Sequence, residues 1–495
     1  MNFLQLLDGV EVLSQTGNPP VAGLEYDSRK VQPGCVFVAM KGETTDGNRF
    51  IDRAIEKGAV AIVTDSAQEK PRSSVAWAQV PHGRRALARL SANFYKHPAR
   101  RLAISGITGT NGKSTTAFLL ESILQAAARK TLLIGTIEYH VAGKVLPAPH
   151  TTPESLELNL MFRDAVAAGA TEAVMEVSSH ALAQERIHGI GFDVAVFTNL
   201  TRDHLDFHGT MEDYFASKRI LFEGCGAEPP RIAILNADDE YARQLEKPCR
   251  KHGSRVLTYG LRQGDFRADS LQITSRGTRL DLVMPGENTP LWSPLIGKVN
   301  VYNILAAAAA AWSRDCSSQA IAGGVAQLAH VPGRFQRVDC GQPFTVVVDY
   351  AHTDDALRNL TSLAREFVTQ AGGGRVITLF GCGGDRDRTK RPLMGEAAGR
   401  GSDFVVLTSD NPRSEDPMSI INDALPGLKQ TGTPFEVEPD RRAAIELAIA
   451  AARPGDIVLL AGKGHEKTQT TREGSRPFDD VEVARELLLC GRAAL

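Results

Sequence analysis

The chain has 495 residues, which at ~150 residues per domain fits about three domains. Lys and Arg number 56 against 58 Asp and Glu, a formal net charge of -2, so the basic excess of a nucleic-acid-binding protein is missing. Hydrophobic residues make up 42% and charged residues 23%, the balance of a globular protein that needs neither disulfides nor metal staples.

The seven cysteines are scattered, odd in number and form no CxxC pair, which suits a reducing cytoplasm and argues against a thiolate zinc site. The longest small-apolar run, Ile304–Trp312, is far short of the ~20 residues a membrane span needs, so no membrane insertion is expected. The start, MNFLQLLDGVEVLSQ, lacks a basic n-region and carries Asp8, so it does not read as a secretory signal.

Short β-branched runs alternate with helical stretches almost throughout, the pattern of an α/β protein with mostly parallel sheets. Three domains are expected. Residues 1–98 hold the strand candidates Cys35–Met40, Ala59–Thr64 and Val75–Val80, and the segment SANFYKHPARR leads out of them. Residues 99–333 open with the strand Leu102–Ile104 and a glycine-rich turn, and later strands end at Glu176, Asn199 and Asn236. A helix over Val301–Trp312 carries six consecutive alanines, read as a closely packed helix, and Pro332-Gly333 marks the boundary. Residues 334–495 supply the strands Phe344–Val348, Val376–Phe380, Phe404–Leu407 and Ile457–Leu460. Each runs into a polar or glycine-rich loop: DYAHTDD, GCGGDRD, TSDNPR and AGKGHE. Ligands bind beyond the carboxyl ends of strands in open α/β sheets, so these loops point to one shared site.

The sharpest motif is Gly106-Ile-Thr-Gly109-Thr110-Asn111-Gly112-Lys113-Ser114-Thr115, between a strand and a helix. Glycines let backbone N–H groups curl around phosphate oxygens, and the helix N-terminus adds positive potential. Lys113 is expected to reach the β- and γ-phosphates of ATP and Ser114 to hold Mg²⁺. The spacing departs from a standard phosphate loop, because Ile107 occupies the place of its first glycine. Phosphate chemistry also needs anionic metal ligands. Glu176 ends one strand, and TNLTRDHLDFH brings Asp203, His204, Asp206 and His208 to the end of another. Asn236-Ala-Asp-Asp239 reads equally as a nucleotide contact or as a helix N-cap.

These residues resemble the Mur ligases, ATP-dependent amino-acid-adding enzymes of peptidoglycan synthesis. The resemblance spans the chain through ITGTNGKST, MEVSSHAL, FTNLTRDHLDFHG, GKVNVYNILAA, GRFQRV, DYAHT, GCGGDRDRTKRPLMG, DNPRSEDP and AGKGHE. It implies a central phosphate-loop domain with helices on both sheet faces, a Rossmann-like C-terminal domain and a smaller N-terminal one. It implies an acyl-phosphate mechanism: the D-glutamate γ-carboxylate of a uridine-diphosphate-linked muramoyl dipeptide attacks the γ-phosphate of ATP, and the amine of meso-2,6-diaminopimelate displaces phosphate. Lys113 and two Mg²⁺ ions would meet the phosphates, with Ser114 and Glu176 on one ion and His204 on the second. Lys218 matches a lysine carried as a CO₂-derived carbamate (N6-carboxylysine) and would join the metal ligands; by itself it reads as a solvated lysine on a helix. Asn300 and Asn303 match the adenine end, where the plain reading is a cap and a polar helix face. Arg334 and Asp349 match residues that reach ATP from the third domain, and His352 would lie near the phosphates. Thr151, Thr152, Ser178, Gln184 and Arg186 match contacts to the peptide of the precursor. Tyr26, Ser28 and the loop Glu43, Thr44 and Thr45 match its uridine-diphosphate end.

Diaminopimelate carries a second carboxylate at its distal carbon, and a planar guanidinium gives that group a bidentate fork. Asp410-Asn411-Pro412-Arg413 and Arg386 supply such cations, Glu466 would pair with the distal ammonium, and the backbone of Gly462 would add a hydrogen bond. An unpaired Arg413 in a lysine pocket would cost about 1–3 kcal/mol of desolvation. Alternatives at this point are the same reaction with L-lysine, a ligase like folylpolyglutamate synthase, a phosphate-loop kinase and a binding protein that senses the precursor. Three residues depart from the family pattern. Asp354 stands in place of Pro and is expected to loosen its loop or add charge without abolishing chemistry. Ser114 replaces Thr and keeps the hydroxyl. His150 replaces Asn and leaves one substrate contact open. The expected partners are small molecules, and a cytoplasmic monomer is expected.

Overall fold

The computed structural model describes residues 1–42, 45–67, 75–274 and 276–492. Its strands fall into three main sheets and two small ones. The first runs in the order Ser14–Thr16, Ala76–Gln79, Ala61–Thr64, Cys35–Ala39, Gly23–Glu25 and is parallel except for its first strand.

The second sheet has eight strands, centred on Ala103–Thr108, which pairs in parallel with Val194–Phe197 on one side and Glu172–Glu176 on the other. Beyond them lie Ile232–Asn236 and Arg255–Tyr259 on one flank and Thr131–Ile134 on the other. Strand order reverses about Ala103–Thr108, so a crevice opens at the carboxyl ends of these three central strands. The remaining two strands, Glu138–Val141 and Lys144–Pro147, form an antiparallel extension.

The third sheet runs Gln336–Val338, Thr345–Asp349, Ile457–Ala461, Val376–Cys382, Phe404–Ser409, Phe435–Val437, and is parallel after its first pair. The mostly parallel α/β reading therefore holds. The antiparallel sheet of Arg267–Thr274, Gly277–Met284 and Glu287–Ser293, and the hairpin of Thr468–Thr471 with Gly474–Pro477, add to it.

The alanine-rich helix spans Lys298–Trp312, and Ala306–Ala311 are all fully buried. Side chains of one methyl let it lie close to the helix Lys113–Ala126 that follows the phosphate loop, and both share a core with the central sheet. Asn303, in its second turn, is thereby brought against the start of that helix, where it accepts from Thr116 Oγ1 at 3.3 Å. Thr353 caps the helix Asp354–Gln370, accepting from Ala356 N, and Asp354 and Asp355 fill its first turn. Aspartate suits the positive end of a helix. Asp354 pairs with Arg358 one turn on. No described helix is long and apolar enough to cross a membrane.

Candidate active site

A cleft of ≈ 470 Å³ lies between the carboxyl edges of the second and third sheets, and most of the expected nucleotide residues line it. The phosphate loop forms its floor. Gly109 has φ +145 and a Cβ there would sit 1.9 Å from Thr198 Oγ1; Gly112 has φ +89 and its Cβ would meet Asn303 Oδ1 at 2.4 Å. Only glycine fits either place. Lys113 Nζ donates to the carbonyls of Gly109 at 2.9 Å and Thr110 at 2.8 Å. Asn111 N donates to Asn199 Oδ1 at 2.9 Å, tying the loop to the neighbouring strand end.

Glu176 is fully buried and accepts from Ser114 Oγ at 3.1 Å, Thr136 N at 2.8 Å and Thr136 Oγ1 at 2.9 Å. None of these donors is a cation. A buried carboxylate beside hydroxyls is a hard oxygen site that suits Mg²⁺. Among the described residues no three His, Cys, Asp or Glu converge as a ready cage.

Lys218 is not the solvated lysine that a lone basic residue on a helix suggests. It is 1% exposed, donates to Gly109 O at 2.8 Å and lies 4.5 Å from the Tyr214 ring centre. Burial, and then the Lys113 charge, hold its pKa well below the usual lysine range. Burial also lowers His204, to about 3, which leaves a neutral imidazole.

Asp203 is the hub of the site. His204 Nε2 lies 3.4 Å, His352 Nε2 3.7 Å and Lys390 Nζ 3.5 Å from its carboxylate. Burial pushes its pKa up, but His352, His204 and Lys390 outweigh that and hold it well below the carboxylate range. His352 Nδ1 lies 2.8 Å from Tyr350 O. His208 is outside this group: its ring nitrogens bond to Ser179 Oγ and Ser217 Oγ, so it is a satisfied core histidine. Asn236 lines the cleft and donates to Thr198 O at 2.8 Å, whereas Asp239 caps the next helix. The helix-cap reading of that motif is realised by Asp239.

At the wall formed by the helix Lys298–Trp312, the helix N-cap is Gly297, not an asparagine. Asn303 Nδ2 donates to Asn300 Oδ1 at 3.1 Å, and Asn300 Nδ2 to Ile296 O at 2.8 Å. Arg334 stacks over Tyr350 and donates to Ser114 Oγ at 3.3 Å. Asp349 accepts from Phe335 N and Ala351 N, at 2.7 and 2.9 Å.

Among the residues expected to meet the precursor, Thr152 joins three elements: its Oγ1 donates to Glu176 O at 2.8 Å and accepts from Ser178 N at 3.1 Å, and its carbonyl accepts from Arg186 at 2.8 Å. Arg186 also forks onto Gln184 Oε1 and lies 3.1 Å from Glu154. Thr151 pairs with Thr136 through their hydroxyls, and the carbonyl of the exposed His150 accepts from Tyr139. Tyr26, which follows the strand Gly23–Glu25, donates to Glu157 on the helix Ser155–Ala167 at 3.0 Å. Ser28 is buried and Thr45 exposed; Glu43 and Thr44 lie outside the described residues.

A second cavity of ≈ 160 Å³ adjoins the cleft and shares Asp203, His204, Tyr350 and His352 with it. Arg386, Asp410, Asn411, Arg413, Gly462 and Glu466 line it, as does Lys390. Asn411 Nδ2 donates to Glu466 Oε2 at 2.7 Å, and Arg413 Nη1 to Gly384 O at 2.7 Å. Pro412 is buried at the foot of this loop. Sequence reading missed four side chains across the two cavities and their surroundings. Lys463 is fully buried and donates to Asn411 Oδ1 at 3.2 Å and Glu466 Oε2 at 3.1 Å. Lys390 backs Asp203, Asp355 accepts from Asn111 Nδ2 at 2.9 Å, and His465 reaches the backbone of Thr136. All four stand inside or beside the quoted motifs, which was the available signal.

Three family models match the chain: a Mur ligase family catalytic domain over residues 20–95, a Mur ligase middle domain over 107–311 and a Mur ligase glutamate ligase domain over 333–464. A UDP-N-acetylmuramoyl-L-alanyl-D-glutamate–2,6-diaminopimelate ligase of Solibacter usitatus is 54% identical, covering 99% of this chain and 98% of its own length. One of the same name from Geobacillus thermodenitrificans is 46% identical over 95% of each chain. A solved structure titled for the same ligase is 34% identical, with a TM-score of 0.69 over 99% of both chains. The MurF ligase of Thermotoga maritima in complex with ADP shares the fold at a TM-score of 0.65 and 20% identity, over 94% of this chain and 97% of its own.

Proposed function

The chain belongs to the Mur ligase family of ATP-dependent ligases, and we propose that it joins meso-2,6-diaminopimelate to the D-glutamate γ-carboxylate of UDP-N-acetylmuramoyl-L-alanyl-D-glutamate, forming ADP and phosphate. The observation that carries this reading is the pair of adjoining cavities. One is built on a phosphate loop, the other holds two arginines and a glutamate, and Asp203, His204, Tyr350 and His352 form their common wall.

The labour divides along the chain. Residues 1–98 hold the uridine end through Tyr26, Ser28 and the 43–45 loop. Residues 99–333 hold ATP and the peptide, and residues 334–495 present the amino acid. The γ-carboxylate attacks the γ-phosphorus and releases ADP. The amine then adds to the acyl carbon, and the tetrahedral intermediate collapses to an amide and phosphate. The first step brings an anion onto a polyanion, so the Lys113 ammonium and the loop N–H groups of Gly109–Thr115 act by charge stabilisation. Asn300, Asn303, Arg334 and Asp349 hold the rest of the nucleotide. Thr151, Thr152, Ser178, Gln184 and Arg186, with His150, position the dipeptide. Ser114, Glu176 and His204 fit Mg²⁺, two ions in all, which when bound supply positive charge to the phosphate oxygens. Lys218 fits the carbamate because its amine is buried next to that donor set, where an added carboxylate-like group would serve as a ligand and an ammonium would not.

In the second cavity Arg413 and Arg386 serve the distal carboxylate, while Asn411, Glu466, Asp410, Pro412 and Gly462 shape the rest of the pocket. Two arginines in so small a space favour diaminopimelate over lysine. Closure of the third domain onto the centre excludes water from the acyl phosphate. The protein would act as a cytoplasmic monomer in peptidoglycan precursor synthesis, and so in cell shape and division. The test is phosphate release with ATP, Mg²⁺ and the precursor, comparing meso-diaminopimelate with L-lysine, and the product's mass. Turnover with diaminopimelate alone is expected; turnover with lysine alone would overturn the specificity, and turnover with neither the reading as a whole.

A further inference from the structure

Beneath the second cavity lies a buried ion pair that takes no part in the chemistry above. Arg441 and Asp480 have fully buried side chains, joined by a fork of 2.8 Å from Nε and 2.6 Å from Nη2. The same guanidinium makes two more bonds, from Nη1 to Ser409 O at 3.2 Å and from Nη2 to Ala461 O at 3.0 Å. Those carbonyls end the strands Phe404–Ser409 and Ile457–Ala461, and the next residues are Asp410 and Gly462.

These two strands are not neighbours, because Val376–Cys382 runs between them. That middle strand pairs with Ile457–Ala461 only as far as Leu379↔Leu460, yet follows Phe404–Ser409 to Cys382↔Ser409. The sheet therefore splays at its carboxyl edge, and the splay opens the cavity above. Arg441 spans its base and supplies donors to carbonyls on both sides of the gap. A buried ion pair adds little net stability, since desolvation offsets attraction. What a guanidinium does provide is rigid, directed donors that fix the distance between their acceptors.

We infer that Arg441 is a positioning residue for amino-acid selection: by bridging Ser409 O and Ala461 O it sets the spacing between the 410–413 and 462–466 loops. The inference rests on the second cavity being the amino-acid site. Its effect is local. Neither Arg334 nor Asp349, which the third domain gives to the ATP cleft, is bonded to Arg441.

The test uses the full-length enzyme and two variants. Arg441→Met/Asp480→Leu replaces the pair by apolar side chains of similar size, a change that buried ion pairs commonly tolerate. Arg441→Lys keeps a cation on Asp480 but loses the fork. A misplacement of about 1 Å can cost ~10²-fold, so the double variant should raise the KM for meso-diaminopimelate about tenfold or more, with Arg441→Lys between it and wild type. The KM for ATP and the rate of acyl-phosphate formation should stay unchanged, which a general loss of folding would not spare. An unchanged diaminopimelate KM in the folded double variant, a parallel rise in the ATP KM, or failure of that variant to fold would each overturn the inference. A wild-type enzyme without diaminopimelate-dependent turnover would instead fail the proposed function, and is measured first.

Discussion

Arg413 offers a perturbation whose effects on affinity and on stability have separate origins. Its side chain lines the second cavity, and burial and then the neighbouring Arg386 pull its pKa down. A bidentate, charge-assisted contact to a carboxylate is worth about 1.5–3 kcal/mol. Losing it in Arg413→Ala should raise the KM for meso-diaminopimelate by about 10- to 150-fold. L-Lysine has no distal carboxylate, so its use should not fall, and the preference between the two should shrink by the same factor. The backbone adds a second effect. Arg413 has φ +53, in the left-handed region that costs a non-glycine residue about 1–2 kcal/mol. Arg413→Gly should therefore be more stable than Arg413→Ala by about 1 kcal/mol while showing the same loss of amino-acid affinity. Phosphate release at varied diaminopimelate, with ATP and precursor saturating, reads the first effect, and urea midpoints read the second. Acyl-phosphate formation without amino acid should be untouched in both variants. An unchanged KM for diaminopimelate, or equal damage to the first partial reaction, would refute the assignment of this pocket.

Lys113→Ala should do the reverse, reducing acyl-phosphate formation by ~10²-fold or more while leaving amino-acid binding in place, as rapid-quench and equilibrium binding would show. Gly112→Ala puts a methyl 2.4 Å from Asn303 Oδ1 at φ +89, so the ATP KM should rise about tenfold; a silent variant would mean the loop shifts freely. His140 supplies a pH test. It lies 2.7 Å from Glu121, on the helix after the phosphate loop, and 2.9 Å from Glu138. Burial alone would lower its pKa, but the two carboxylates win and raise it to about 9. A raised pKa stabilises the folded state fully below the ordinary value near 6.5 and is lost as pH rises through about 9. The ceiling is about 3 kcal/mol, reduced to about 1–2 kcal/mol by solvent screening of a partly exposed group. Urea midpoints followed from about pH 6 to about pH 10 should fall in the wild type, and His140→Gln should lose that part of the slope; equal slopes would contradict it.

Much of the framework was legible because parallel strands buried on both faces read as short apolar runs. Cys35–Ala39, Val376–Cys382 and Ile457–Ala461 stand within two residues of where the sequence puts them. The antiparallel strands escaped notice for the converse reason. Arg267–Thr274 is RADSLQIT, half-exposed and polar, and Lys144–Pro147 is exposed along its whole length. The phosphate loop and the loops at the strand ends could be read from residue type and spacing. Which lysines are buried could not, since the environments of Lys218, Lys390 and Lys463 come from contacts with other elements. Lys218 meets Gly109 across more than a hundred residues of chain, and nothing near it in sequence distinguishes it from a solvated lysine. Arg441 reads as one more cation at a helix start, and only the splay of three strands gives it a role.

In the proposed reaction a phosphorylated carboxylate is made in the cleft and consumed from the adjoining cavity. The direct measurement is oxygen transfer: precursor labelled with ¹⁸O in the D-glutamate γ-carboxylate, turned over with ATP and meso-diaminopimelate, and the released phosphate analysed by mass. Attack of that carboxylate on the γ-phosphorus, followed by displacement at carbon, carries one labelled oxygen into each phosphate. Phosphate free of label would mean that the amide forms without an acyl phosphate and would contradict the mechanism assigned to these two cavities.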